Sequence, residues 1–352
     1  MELAMRPNQA RDLRTAFSDE IAKKDLVPLW EHLHILVPPV PERRIAAALW
    51  RYRDLRPHLM RSGGLLTAAE AVRRVLAMEN PSLRGSSAIT QAMFAGLQLI
   101  MPGEVAPTHR HTQSALRLVI EGSSAYTSVD GERIPMEPGD FIITPSWTWH
   151  DHGNRSQQDG GVPVVWLDGL DIPLLRFLGA QFAENYRADE QPVTQVEGAS
   201  LARFGSGLLP ARHKVDTAIS PLRHYPYART RAALQTMLRN GDVDEWDGVK
   251  VRYANPATGR WAMPSIATCM QLLPAGFTGR PYRTTDATVF SVVEGSGLAT
   301  IGSEQLAFEP KDTFVVPSWE PLSLRSSTEA VLFSFSDRPL HEALDLYRES
   351  RQ

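Results

Sequence analysis

Hydrophobic and polar positions change rhythm twice along this chain. Over roughly the first 80 residues, charged and apolar side chains recur near helical spacing, which predicts helices over Ala10–Ala22 and Arg43–Arg53. The segment Val37-Pro38-Pro39-Val40-Pro41 separates them, because proline cannot continue a helix. Thr67 with Glu70 three residues later forms a capping box and predicts a third helix over Thr67–Met78. From Ser87 the rhythm becomes that of strands, with short apolar runs punctuated by proline and glycine: Met93–Met101, Ala115–Glu121, Phe141–Thr144 and Val162–Leu167. Residues 173–260 return to helix and loop, with Arg229–Arg239 the clearest helix. Strand texture resumes from Ile266, at Met270–Leu273, Thr288–Val293, Thr313–Val316 and Val331–Phe335.

The two strand regions resemble each other. Leu118-Val119-Ile120-Glu121-Gly122 matches Ser291-Val292-Val293-Glu294-Gly295. Met136-Glu137-Pro138-Gly139-Asp140-Phe141 matches Phe308-Glu309-Pro310-Lys311-Asp312-Thr313, and Pro145-Ser146-Trp147 matches Pro317-Ser318-Trp319. The offset is 172 or 173 residues throughout, the mark of an internal repeat. The expected fold is mainly β: two jelly-roll barrels with an N-terminal helical arm and a helical linker. The boundaries expected are an arm at 1–85, a first barrel at 86–172, a linker at 173–262, and a second barrel with a C-terminal helix at 263–352.

Composition narrows the function classes. A chain of 352 residues holds about two domains' worth of core. Its formal charge of −3 gives no basic excess for nucleic acid or an anionic membrane surface. No run reaches the roughly 18 apolar residues of a membrane-spanning helix, and charges interrupt residues 1–26 too often for a secretory signal. The one cysteine, Cys269, allows no intrachain disulfide and sits among apolar residues as a small core side chain. A cytoplasmic protein acting on a soluble small molecule is expected.

The chemistry concentrates in the first repeat. His109 and His111 stand at i and i+2, so on a strand both imidazoles share one face. His150 ends the run Pro145-Ser146-Trp147-Thr148-Trp149-His150. Three converging neutral imidazoles hold a divalent metal and leave positions open for ligands. The second repeat is an internal control: Tyr282, Thr284 and Leu322 occupy the matching positions, so that barrel is expected to be metal-free. These residues alone also accommodate a metal-dependent isomerase or a non-catalytic small-molecule binder.

The motifs resemble those of the bicupins. The first cupin motif fits Gly103, His109, His111 and Gly122; the second fits Pro145, His150 and Asn154, with Trp147 in place of a glycine. The position of the usual glutamate ligand is Ala115, leaving a three-histidine set. Among bicupins, Phe94–Gln98, His109–Ser114, Pro145–Asn154 and Trp166–Asp171 are similar to the gentisate 1,2-dioxygenase family, over about residues 70 to 340. That resemblance implies Fe(II) as the metal, O2 as co-substrate, and a small aromatic hydroxy acid as substrate. Ring cleavage would fall between the carboxyl-bearing and hydroxyl-bearing carbons, giving maleylpyruvate from gentisate. It also implies a homotetramer. Relatives in the family take salicylate, 5-substituted salicylates or 1-hydroxy-2-naphthoate, which stand as alternative substrates.

The residues agree with such a substrate. A carboxylate-free site leaves the metal at +2, which suits a chelating anion. Arg117 lies two residues after Ala115, so it faces the same way and can grip a carboxylate. The resemblance also carries Gln98, His152, Asp168 and Arg73 into the substrate pocket. His152, two residues after His150, is the expected hydrogen-bonding or acid–base group. Arg74 beside Arg73 leaves open which of the two faces the site. Phe94 stands where many gentisate enzymes carry tyrosine, removing a hydroxyl that could read the ring's 5-position.

Overall fold

The computed structural model describes residues 7–156, 161–212 and 218–351. The chain divides into two units, residues 1–42 and 43–352. The first contains α1 (Pro7–Ala22) and α2 (Leu29–Leu36), with the rings of Phe17 and Trp30 stacked 6.3 Å apart. Among the described residues, no helix is long and apolar enough to cross a membrane.

The second unit is a tandem duplication that extends well beyond the sequence motifs. Its first copy opens with β1 (Ala48–Trp50), α3 (Tyr52–Gly63), α4 (Ala68–Ala71) and β2 (Val75–Ala77). The barrel strands follow: β3 (Phe94–Ile100), β4 (Val105–His111), β5 (Ala115–Glu121), β6 (Ala125–Val129), β7 (Glu132–Pro135), β8 (Phe141–Thr144), β9 (His150–Asn154) and β10 (Val164–Leu170). The copy closes with α5 (Ile172–Phe177) and β11 (Ala183–Asn185), after which α6 (Ala199–Phe204) leads onward. The second copy repeats the order. It opens with β12 (His224–Tyr225), α7 (Tyr227–Asn240) and β13 (Val249–Arg252). Its barrel strands are β14 (Ala267–Leu273), β15 (Tyr282–Thr284), β16 (Thr288–Glu294), β17 (Gly297–Ile301), β18 (Glu304–Phe308), β19 (Thr313–Val316), β20 (Leu322–Arg325) and β21 (Ala330–Ser336). It closes with α8 (Arg338–Ala343) and β22 (Glu349–Arg351).

Each barrel pairs a six-stranded sheet with a five-stranded one. The first has the orders β12-β8-β5-β10-β3-β2 and β11-β4-β9-β6-β7; the second has β1-β19-β16-β21-β14-β13 and β18-β17-β20-β15-β22. Position for position these are the same sheets, but the opening strands are exchanged. The first copy's β1 completes the second barrel, and the second copy's β12 completes the first. Strands from either side of the expected 85/86 and 262/263 boundaries therefore share a sheet.

Alternation along the strands sorts side chains between two buried faces. Leu116, Leu118 and Ile120 of β5 join Leu97, Phe141, Leu167, Met270, Val289 and Phe333 in an apolar layer drawn from both barrels. The opposite face looks into the first barrel, where Ile100, Val119, Ile142, Val164 and Trp166 contribute to an apolar core. The second barrel has its own interior around Phe290, Phe308, Phe314 and Leu332.

Two expected helices are corrected. Residues 43–51 are not helical: Ala48–Trp50 is an edge strand paired to Thr313–Val315, and the helix starts only at Tyr52. The capping box at Thr67 is real, with Thr67 N–H donating to Glu70 Oε2 at 2.9 Å and Glu70 N–H to Thr67 Oγ1 at 3.1 Å. Its helix lasts one turn, because Val72 takes φ +55° and Val75–Ala77 pairs with β3. Cys269 lies on β14 at intermediate exposure, and burial pushes its thiol pKa up, away from nucleophilic character.

The aspartate of each repeated turn holds the helix that crosses between barrels. Asp312 accepts from the Tyr52 N–H at 2.9 Å at the start of α3, and Asp140 from the Tyr227 N–H at 2.8 Å at the start of α7. Each helix then grips the other barrel: Arg56 meets Glu121 at 2.9 Å, and Arg231 meets Glu294 at 3.1 Å. Replacing Asp312 with alanine should cost about 1–2 kcal/mol, the usual worth of a helix cap. Asp140→Ala should cost more, since buried His224 loses its 2.8 Å partner as well. Urea unfolding midpoints measure both, and unchanged midpoints would remove the turns from the stability of the fold.

Candidate metal and substrate site

The register of β4 against β9 places His109 directly opposite His150, with His111 two residues along the same face. One nitrogen from each of the three rings lies within 4.8 Å of the others, and this is the group with metal-holding geometry among the described residues. The second barrel has the same register, and there Tyr282 faces Leu322.

Backbone carbonyls orient the rings. His111 Nδ1 lies 2.9 Å from the Gln113 carbonyl, and His150 Nδ1 lies 3.0 Å from that of Thr148. A carbonyl only accepts, so Nδ1 carries the proton and Nε2 keeps its lone pair for a ligand. His150 Nε2 is buried with no hydrogen-bond partner among the described residues. His109 Nδ1 is 3.3 Å from the Pro107 carbonyl and also meets Nη2 of Arg73. Burial pushes His109 down to about 3 and His111 to about 4, with Arg73 and Arg117 adding to the effect, and holds His150 well below the usual range. Neutral imidazoles are the form that binds metal. The donor set, its anchoring and the orphaned nitrogen all fit a divalent transition metal.

The five-stranded sheet supplies the histidines, and the facing six-stranded sheet supplies charge. Arg117 on β5 is buried and points inward, as alternation predicts, with Ala115 beside it. Its Nη1 donates to Thr144 Oγ1, and its Nε lies 3.4 Å from Asp168 Oδ1 on the neighbouring strand. Trp166 Nε1–H donates to the same Asp168 oxygen at 3.0 Å. Burial raises the Asp168 carboxyl to about 6 despite the opposing guanidinium. Asp168 is thus a mid-strand residue buried beside Arg117. Gln98 and Phe94 share the inward face of β3 with Gly96, since Gln98 pairs with Trp166 and Gly96 with Asp168. A side chain at Gly96 would meet Val75 at 2.5 Å and the Phe94 ring at 3.0 Å, so glycine keeps this wall close.

The two arginines after α4 part company. Arg74 is buried against Glu104, while Arg73 turns to His109 and donates to the Pro107 carbonyl at 3.1 Å. Arg73 is not on a helix as expected; it follows the bend at Val72. His152 on β9 is fully buried, its ring 5.9 Å from that of His150 and 5.2 Å from Trp166. Its Nδ1 lies 2.9 Å from Thr127 Oγ1, and its Nε2 has no partner among the described residues. No local motif marks Thr127. The repeat held the signal, since Thr127 and His152 correspond to Ala299 and Leu324, lost together as the metal ligands are.

Trp147 and Trp319 both take φ +62°, which accounts for the glycine usual at this motif position. Each ring lies under an arginine, Arg110 at 4.4 Å and Arg283 at 4.7 Å, in the barrel with the histidines and in the one without. These tryptophans serve the fold. Clefts of about 840 and 510 Å3 lie elsewhere, and neither is lined by the three histidines.

Comparison with known proteins gives the same picture. A family model described as a cupin domain matches residues 96–168. The chain is 49% identical over 338 residues to gentisate 1,2 dioxygenase 1 of Aquipseudomonas alcaligenes, covering 96% of each protein. It is 32% identical to a 5-aminosalicylate 1,2-dioxygenase of a Comamonas species, covering 95% of this chain and 89% of that one. The crystal structure of salicylate 1,2-dioxygenase from Pseudoaminobacter salicylatoxidans, an adduct with gentisate, aligns with a TM-score of 0.91 at 33% identity, covering 100% of this chain and 97% of that one. The likeness runs through arm, barrels and linker alike, well beyond the span of one cupin domain, and the chain belongs to the gentisate 1,2-dioxygenase family.

Proposed function

We propose that this chain cleaves gentisate with O2 between the carboxyl-bearing and adjacent hydroxyl-bearing carbons, giving maleylpyruvate with both oxygen atoms retained. The observation that carries the reading is a carboxylate-free cluster of three neutral histidines flanked by buried Arg117 and by Arg73. That field favours a dianionic chelator over a neutral ligand. His109, His111 and His150 would hold iron(II), which when bound supplies coordination positions for the substrate's oxygens and O2. Arg117 and Arg73 bind the carboxylate, and Asp168 keeps Arg117 in place. His152 Nε2, buried without a partner among the described residues, would meet an oxygen of the substrate, Gln98 and Phe94 on the inward face of β3 would line the pocket, and buried Trp166 would help exclude water. The lone thiol fits a cytoplasmic setting.

The second reading is the same reaction on salicylate or a 5-substituted salicylate. Phe94 favours it, because a phenyl ring gives a 5-hydroxyl no hydrogen bond. Oxygen uptake by iron-loaded protein with gentisate, salicylate and a 5-halosalicylate separates the readings. Gentisate is expected to lead, with one iron per chain by metal analysis and metal lost in His111→Ala. If salicylates lead instead, Phe94→Tyr should shift kcat/KM toward gentisate by about 1–3 kcal/mol. No uptake with any of the three would overturn the reaction.

The Asp168 carboxyl gives a pH signature. With its pKa raised to about 6, it is ionised and paired to Arg117 above that pH and becomes neutral below it. kcat/KM should therefore fall through an acid limb near pH 6, and Asp168→Asn should have lower activity without that limb. An identical limb in the variant would assign it to another group.

A homotetramer is also part of this reading. Leu29, Trp30, Leu33, Ile35 and Leu36 of the arm are each about half exposed or more, an apolar surface suited to another copy of the chain. Light scattering should show a tetramer, and Trp30→Glu with Leu33→Glu should lower the mass. A monomeric wild type would refute the assembly.

A further inference from the structure

We propose that Thr127 is a positioning residue that fixes His152 in the tautomer with its proton on Nε2, so that a buried N–H meets an oxygen of the bound hydroxybenzoate. This rests on the substrate class proposed above. Thr127 on β6 stands directly opposite His152 on β9, and both are fully buried. Two hydrogen arrangements satisfy the 2.9 Å contact between Thr127 Oγ1 and His152 Nδ1. In one, Nδ1–H donates to the hydroxyl, whose own proton is left to Met136 Sδ at 3.5 Å. In the other, the hydroxyl donates to the Nδ1 lone pair and the ring proton sits on Nε2. A thioether is a weak acceptor and an imidazole nitrogen a strong one, so the second arrangement is favoured.

That choice leaves a donor unmet in the protein. His152 Nε2 is buried without a partner among the described residues, and an unpaired buried donor is costly until something accepts from it. The duplicated barrel shows that the fold does not need the pair. There Ala299 faces Leu324 in the same register, both in the apolar interior, and Phe308 stands where Met136 does. The polar pair is present where the three histidines are, and replaced where they are not.

The tautomer can be read without substrate. In full-length protein labelled with 15N-histidine and loaded with diamagnetic zinc(II), two-bond 1H–15N correlations should show the His152 proton on Nε2. In Thr127→Val it should move wholly or partly to Nδ1. A proton on Nδ1 in the wild type would overturn the assignment. Anaerobic calorimetry of iron(II)-loaded protein with salicylate then tests the consequence. Thr127→Val should weaken binding about tenfold, as for one hydrogen bond to a charged acceptor. Thr127→Ser should restore it to within about threefold, at unchanged metal content. In a His152→Leu background, Thr127→Val should add less than about a twofold effect, since Thr127 acts through the ring. An equal loss in both backgrounds would reduce Thr127 to packing and overturn the proposal. A wild type that binds no hydroxybenzoate would instead refute the substrate class, and the tautomer spectrum would still decide the role of Thr127.

Discussion

The sheet β8-β5-β10-β3 is buried on both faces, and the two faces have opposite requirements. One must be apolar enough to join the layer between the barrels; the other must carry charge toward three histidines. Strand alternation alone keeps them apart: Leu116, Leu118 and Ile120 go one way, Ala115, Arg117 and Val119 the other. A slip of one residue would drive Arg117 into the apolar layer and leucines into the pocket. The apolar layer selects the register, because it accepts only the face that carries Leu116, Leu118 and Ile120. The site's electrostatics are thus a product of the same packing that fixes the fold.

Legibility followed the range of the interactions involved. Ala115–Glu121, Phe141–Thr144 and Thr313–Val316 are strands with the residues expected, because a buried apolar run announces itself locally. The segment around Ala48–Trp50 did not, since its three residues are a strand only by virtue of Thr313–Val315, far along the chain. Thr67 and Glu70 make the expected box, yet the helix stops at once where β3 offers an edge to Val75. In the site, His109, His111 and Arg117 were legible from a period of two. The choice between Arg73 and Arg74 was not, because it depends on a backbone bend at Val72 that no periodicity reveals.

The second barrel is informative because it solves the same packing problem without the chemistry. In place of the histidine set it carries Tyr282 and Leu322, with Lys250 and Asp247 paired at 2.8 Å close by. The Lys250 ammonium lies 5.9 Å from the Tyr282 ring, so near this tyrosine the buried charge is balanced within the pair rather than by a metal's ligands. What the two barrels keep in common marks architecture: the aspartate turns, the arginine-stacked tryptophans, the helix after each barrel. What they do not share marks the site.

The exchange of β1 and β12 bears on how such a chain could have arisen. A polypeptide carrying a single copy would present its opening strand to a barrel it does not contain. Two such molecules would satisfy each other reciprocally, each lending a strand and a capped helix to its neighbour. The two-barrel chain has the geometry of that strand-exchanged dimer made covalent, with residues 186–223 as the join. In the joined chain one half carries the histidines and the other does not, and the strand loan tolerates the difference because it is made by backbone hydrogen bonds that do not depend on either set of side chains.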